Sequence, residues 1–415
     1  MSITNRYRLG LDTRLTLFFL RHSFRSIFRL PVTGIEKLHG LKGSSTGPVV
    51  VCNHLANLDP LFLAAGFNEG IRFLASDLLF RRPVLGRILR WAGMISKRKF
   101  HADPGAVRLL KQAVSRGDWV GFFPEGEATW DGLTKPPIAG TGKLLQFLKT
   151  PVIVLRLHGA YFSQGRWAYP KKLRPVSIEV SDIISPAELR SSSGQEIEDR
   201  VFRGMAINPW TDPEDRGLSP PRLSGMESTL VFCPVCAGGK TLVSGPRVLQ
   251  CTSCGSKAVL TDQQTLRWLP GREAWKSPYT PLEDLPEHIP QWNALQDRWF
   301  RDQGPGVFAR MSWNCYFEEH DPRKGKRFSL AAELRGNDQG AMVIRIRAGG
   351  DRPEEVKTFP LSELQGINVQ MEERLEFRHN RRLYVLRFER PWGGYPWYRA
   401  HGIWFGPTKR ESPRT

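Results

Sequence analysis

Between residues 49 and 157, short apolar runs alternate with helix-like stretches. No other feature of the chain restricts its fold as much. Val49–Val51, Ile71–Ala75, Trp119–Phe123 and Val152–Leu157 are rich in β-branched and aromatic residues and read as strands. Pro60 has no N–H to lose at the first helical position, so a helix opens there and Asp59 is a natural N-cap. Asp103-Pro104 opens another helix, carrying Val107, Leu110, Lys111 and Val114, and Gly117 ends it. This alternation predicts an α/β domain over residues 35–208 with a largely parallel, mixed sheet.

In such sheets, ligands sit beyond the carboxyl ends of strands. After the first strand come Asn53-His54, with Asp59 five residues on from the histidine. On a regular helix, residues five apart face roughly 140° away from each other. The two side chains meet only if His54 lies on the turn and Asp59 stands where the helix begins. One carboxylate oxygen would then accept backbone N–H groups and the other an imidazole N–H, leaving the second ring nitrogen as a general base. The bland alternative is a strand, a loop and a helix cap. After the third strand comes Phe123-Pro124-Glu125-Gly126, which puts Glu125 in an exposed turn. There it accepts a hydroxyl ligand or is simply solvated. Between these places lies the basic stretch Gly93 to Lys99. Gly140-Thr-Gly-Lys143 lacks phosphate-loop spacing and reads as the opening of a helix.

The ordered set N53-H-x4-D59, Gly93–Lys99, F123-P-E-G126 and Pro151-V-I-V154 resembles the glycerolipid acyltransferase family, over about residues 35–185. The resemblance implies that His54 takes the proton from an acceptor hydroxyl and that Asp59 is its partner. The hydroxyl oxygen would attack an acyl thioester on coenzyme A or acyl carrier protein, and the acceptor would be a lysolipid. By the same resemblance, Arg98 contacts the acceptor's phosphate, with Lys97 and Lys99 as neighbouring registers. Asn53, Phe123, Pro124, Glu125 and Gly126 join the acceptor site, and Val152 to Val154 lie by the acyl chain. Two positions depart from the family's pattern. Glu127-Ala128-Thr129 stands where Thr-Arg-Ser is usual, so an arginine is missing and a carboxylate added. Leu155 stands where proline usually ends the fourth motif.

The formal charge of +19 is uneven: residues 1–100 hold sixteen Lys and Arg against five Asp and Glu. Such a field attracts polyanions. Within residues 1–34, the segment 13–30 spaces Leu17, Leu20, Phe24, Ile27 and Phe28 helically, with Arg14, Arg21, Arg25 and Arg29 between them. That composition suits a helix lying on an anionic membrane surface. No run reaches the roughly 20 apolar residues of a membrane span. No secretory signal precedes the domain, so a cytoplasmic, peripherally bound protein is expected.

Residues 209–228 have linker composition. In 229–262, Cys233-x-x-Cys236 and Cys251-x-x-Cys254 resemble a zinc ribbon with one structural Zn²⁺ and no open position. Cys52 and Cys315 read as buried thiols. Residues 263–306 form a helical connector and 307–415 a β-rich domain, whose aromatics and arginines are either core and wet face or a nucleic-acid surface. Two other readings compete with an acyltransferase: a nucleic-acid-binding zinc ribbon protein, and an inactive lipid-binding homologue. The first leaves the ordered motifs of residues 53–154 unexplained, so nucleic acid is not the expected partner.

Overall fold

The computed structural model describes residues 26, 30–41, 46–67, 70–81, 83–97, 103–168, 174–218, 222–271, 277–320, 327–348, 353–370, 374–380, 382–389 and 393–406. Arg98 and nearly all of the basic segment 13–30 lie outside these residues. The chain divides into two compact units, one of residues 1–166 and 171–221, the other of 167–170 and 222–415.

The first unit is built on seven strands: β1 (Val32–Thr33), β2 (Val49–Cys52), β3 (Ile71–Ser76), β4 (Ile95–Lys97), β5 (Trp119–Phe122), β6 (Val152–His158) and β7 (Ser177–Ile184). Their order is β1-β7-β6-β2-β5-β3-β4. Neighbours run parallel except β6 and β7, whose antiparallel register shifts between Val154 and Leu155. A parallel sheet is covered on both faces, which is why its strands are continuous apolar runs. All four residues of β2 are buried. Val49, Val51, Val120, Val152 and Val154 pack with Leu110, Val114, Leu145 and Val201 from the helices Pro104–Ser115, Thr141–Leu148 and Gly194–Met205. Asp103 caps the first of these by accepting from the Ala106 N–H at 3.1 Å. Val51 stands level with Phe122 on one side and Val154 on the other. The carboxyl ends of β2, β5 and β6 therefore share one edge.

Residues 209–218 are not a free linker. Trp210 and Asp215 are fully buried in the first unit, and the Trp210 indole N–H donates to the Asp131 carbonyl at 2.7 Å. A helix, Pro213–Leu218, follows.

The second unit holds both the cysteine pairs and the β-rich tail. Strands β8 (Leu242–Ser244), β9 (Val248–Cys251), β10 (Lys257–Leu260) and β11 (Leu266–Leu269) form an antiparallel sheet in the order β11-β10-β9-β8. A seven-stranded antiparallel sheet comprises β12 (Ser312–His320), β13 (Arg327–Gly336), β14 (Ala341–Ile346), β15 (Glu355–Pro360), β16 (Gln365–Gln370), β17 (Arg374–His379) and β18 (Arg382–Phe388). Two helices, Ile289–Gln303 and Gly394–Phe405, are tied by Arg399 Nε donating to Asp297 Oδ1 at 2.8 Å. Tyr395 and Trp397 are buried, with Trp397 stacked on Phe308 at 4.1 Å. Arg345, Arg347 and Arg382 are exposed. Among the described residues the tail thus has the core-and-wet-face arrangement.

Candidate active site

β2 ends at Cys52, and the chain turns sharply before a helix begins at Asp59. His54 lies on that turn, and its Nδ1 is 2.8 Å from Asp59 Oδ2. The contact arises differently from the expected cap. Leu58 is the N-cap, and Asp59 is the first helical residue, with Pro60 next. Asp59 reaches back to the turn rather than forward into the helix: its Oδ2 also accepts the N–H groups of Leu55 at 2.6 Å and Ala56 at 2.8 Å. One oxygen takes all three donors, whereas two oxygens were expected to share them. Oδ1 is buried without a hydrogen-bond partner among the described residues. Burial pushes the Asp59 carboxyl above its ordinary value, opposed by the bonds from His54, Ala56 and Leu55. The imidazole stays 17% exposed.

The segment after β5 holds His54 from three directions. Phe123 stacks on the His54 ring, with centroids 4.0 Å apart and planes 17° from parallel, and Phe73 stacks behind Phe123. Glu125 Oε1 accepts the His54 N–H at 2.7 Å. Thr129 donates its N–H to the His54 carbonyl at 2.8 Å. Gly126 turns the chain at φ +77°, where a Cβ would collide with Ile138 Cδ1. The Phe123 carbonyl accepts from the Gly126 N–H, closing the turn, and the Pro124 carbonyl accepts from the Ile138 N–H, closing the longer loop.

Two residues expected at the acceptor are committed elsewhere. Asn53 is fully buried: its Nδ2 donates to the Leu157 carbonyl at 3.0 Å and its Oδ1 accepts the Leu157 N–H at 2.8 Å. It bolts β2 to β6 one residue before His54. Glu125 is not exposed in a solvated turn but is buried, and its Oε2 accepts the Lys135 N–H at 2.9 Å. Burial pushes its carboxyl up to about 8, against the N–H groups of Lys135 and His54, which pull it down. Val152 to Val154 are likewise core, not cavity wall. The added carboxylate of Glu127 is compensated, with Lys135 Nζ at 2.8 Å and Arg166 Nη1 at 3.9 Å. Cys52 and Cys315 are buried thiols, as expected. Sequence reasoning missed Thr129 and Lys135, whose roles lie in backbone N–H groups that no side-chain pattern announces.

The Glu125 carboxyl gives a pH prediction. The folded chain keeps its proton between about pH 4.5 and 8, while the unfolded chain has released it. The native state binds more protons over that window, so stability falls as pH rises through it. Melting temperature measured from about pH 5 to 8 should decline, and Glu125→Gln should flatten this dependence. An unchanged slope in the variant would assign it to other groups.

In the second unit, the Cys233 and Cys254 sulfurs lie 3.9 Å apart, and those of Cys236 and Cys251 3.8 Å apart. All four fall within 4.8 Å of one another. Four sulfurs about 2.3 Å from one tetrahedral centre are about 3.8 Å apart, so the donor set fits a zinc-sized thiophilic ion. Backbone N–H groups of Cys236, Gly238, Ser253 and Cys254 bond the sulfurs and pull the thiols down, against the neighbouring Cys251 and the burial that push Cys233 up and the burial that pushes Cys236 up. Gly255 and Ala237, each next to the last cysteine of its pair, both take left-handed backbone conformations.

A family model described as Acyltransferase matches residues 29–157. These residues are an acyltransferase domain. Over 136 residues the chain is 26% identical to a chloroplastic 1-acyl-sn-glycerol-3-phosphate acyltransferase of Brassica napus, covering 32% of this chain and 39% of that protein. Over 116 residues it is 35% identical to an uncharacterised protein of Mycobacterium leprae, covering 26% of this chain and 28% of that one. The chain therefore spans well under half the length of either relative. Among solved structures, the 1-acyl-sn-glycerophosphate acyltransferase PlsC of Thermotoga maritima superposes with a TM-score of 0.39 at 19% identity, over 50% of this chain and 80% of that one. The acyltransferase domain contains the His54–Asp59 pair and its bracing segment. The cysteine cluster and both antiparallel sheets lie beyond it in sequence. Among the described residues, no helix is long and apolar enough to cross a membrane.

Proposed function

We propose that this chain moves a fatty acyl group from a thioester to the hydroxyl of a lysolipid acceptor at a membrane surface. The observation that carries this reading is the 2.8 Å pairing of His54 Nδ1 with a buried carboxylate at the carboxyl edge of the sheet. With Nδ1–H held by Asp59, Nε2 presents a lone pair to the acceptor. It takes the hydroxyl proton as the oxygen attacks the thioester carbonyl. Asp59 stabilises the imidazolium formed, in the manner of a catalytic triad whose nucleophile belongs to the substrate. The tetrahedral adduct then expels the thiolate, and His54 returns the proton to its sulfur. The donor is acyl-coenzyme A or acyl carrier protein. The acceptor is of the glycerolipid kind that the Brassica relative's name describes. Arg98 and the basic N-terminal segment are proposed to meet the acceptor's phosphate and an anionic bilayer, in a cytoplasmic and peripheral protein.

The test is thiol release from acyl thioesters, with purified protein and a panel of lysolipids differing in head group. Release that depends on a lysolipid, with the acylated lipid found by mass spectrometry, supports the reading. Release equal with and without acceptor, or none with either donor class, refutes it.

The four cysteines are proposed to hold one structural Zn²⁺, since four protein ligands leave no position for substrate. The expected result is one zinc per chain at this cluster and a lower melting temperature in Cys233→Ser. Its loss should exceed that of Cys315→Ser, which removes an unclustered thiol. Equal melting temperatures for the two variants would count against the metal.

A further inference from the structure

His158, the last residue of β6, carries an imidazole that the proposed reaction does not use, with its side chain only 3% exposed. Nδ1 lies 2.8 Å from Asp215 Oδ2 and 3.9 Å from Asp212 Oδ2. Nε2 lies 3.7 Å from Glu214 Oε2 and 3.9 Å from Glu179 Oε2, beyond hydrogen-bonding distance, and is buried with no hydrogen-bond partner among the described residues. Four carboxylates thus converge on one buried ring, and Arg156, 3.2 Å from Glu179, offsets one of them. The group is held in place. Asp215 Oδ1 accepts the Gly159 N–H at 2.5 Å, Asp212 Oδ1 that of Glu214 at 3.0 Å, and Glu214 Oε1 the Ser177 hydroxyl at 2.9 Å.

Crowded carboxylates around a desolvated group require positive charge. A proton on the ring supplies only one unit of positive charge against four carboxylates, of which Arg156 offsets one. We propose instead that His158 Nδ1, Asp215 and Asp212 form a divalent-cation site of the zinc or manganese class, separate from the cysteine cluster. The three ligand atoms lie within 4.8 Å of one another. Two ligands about 2.0–2.1 Å from a metal stand about 2.9 Å apart at right angles and about 3.4 Å apart at the tetrahedral angle, and the 2.8 Å from Nδ1 to Asp215 and 3.9 Å to Asp212 bracket these values. Nε2 then carries the proton and points at Glu214 and Glu179. One imidazole with two carboxylates favours ions that accept nitrogen and oxygen ligands together. The ion would pin the helix Pro213–Leu218 to the end of β6. That anchor is one residue beyond Leu157, which bonds Asn53 beside the base.

The test uses the full chain exchanged into metal-free buffer. Titration with Mn²⁺, followed by electron paramagnetic resonance of the free ion, should give one bound ion per chain. Asp212→Asn should weaken binding by at least about tenfold. That side chain is partly exposed and its Oδ1 still accepts from Glu214, so the fold survives the change. After zinc loading, native mass spectrometry should count one ion fewer in Asp212→Asn than in wild type, whatever the cysteines hold. The proposal is overturned if wild type takes up no Mn²⁺, or if affinity and zinc count are unchanged in the variant. It is equally overturned by a melting temperature that responds to pH but to neither ion, which would assign the positive charge to a proton.

Discussion

His54→Ala is expected to abolish most acyl transfer, lowering kcat by about 10²–10⁴-fold with KM for the thioester little changed. In the proposed reaction the ring supplies Nε2 to the acceptor hydroxyl, and Glu125 beside it is no replacement. Glu125 is buried behind the backbone and carries a proton up to about pH 8. The substitution should leave the fold standing, because the anchors at this residue are its N–H and C=O, bonded to Glu125 and Thr129. Lost stacking on Phe123 should cost about 0.5–1.5 kcal/mol. Steady-state thiol release with a saturating lysolipid, beside a melting curve, measures both. A wild-type kcat in a folded His54→Ala protein would place the base elsewhere.

The second large effect concerns Asp59, and here the single-oxygen geometry makes the two obvious substitutions differ. In Asp59→Asn, an amide oxygen in the Oδ2 position still accepts from Leu55, Ala56 and His54 Nδ1. The tautomer of the base survives, and what disappears is the negative charge behind the imidazolium. The expected loss in kcat is on the order of 10²–10³. That is milder than the roughly 10⁴ found where an asparagine turns its N–H to the ring and enforces the wrong tautomer. The amide NH₂ falls where Oδ1 is buried without a partner among the described residues, which should cost about 1–3 kcal/mol of stability. Asp59→Ala instead strands two backbone donors and releases the ring, so its losses in rate and melting temperature should both be larger. Equal activity in Asp59→Asn and wild type, or a slower Asp59→Asn than Asp59→Ala, would contradict this arrangement.

Features fixed by local pattern were legible in the sequence. The apolar runs of β2, β5 and β6 had to be strands covered on both faces, and Asp103-Pro104 had to open a helix. The cysteine knuckles are equally local, since a short turn brings each pair together. Errors came where distant partners decide the outcome. Asn53 looked available for a ligand, yet its amide meets the Leu157 backbone, more than a hundred residues away. Glu125 looked solvated between a proline and a glycine, but two backbone N–H groups from separate stretches bury it. In residues 209–218, the abundance of proline and glycine outweighed Trp210 and Asp215, whose burial depends on Asp131 and Gly159. The Asp59 contact was foreseen but its direction was not, because a carboxylate beside a helix-opening proline serves the turn before it as readily as the helix after it.

Glu125 grips His54 with one oxygen and Lys135 with the other, so the intervening loop is a closed loop of fixed circumference fastened at the base itself. Lengthening or shortening that circuit by a residue would drag the imidazole off its station. A change of ligand preference made at this loop would then have to come from exchanging side chains around its rim, and not from growing or trimming it.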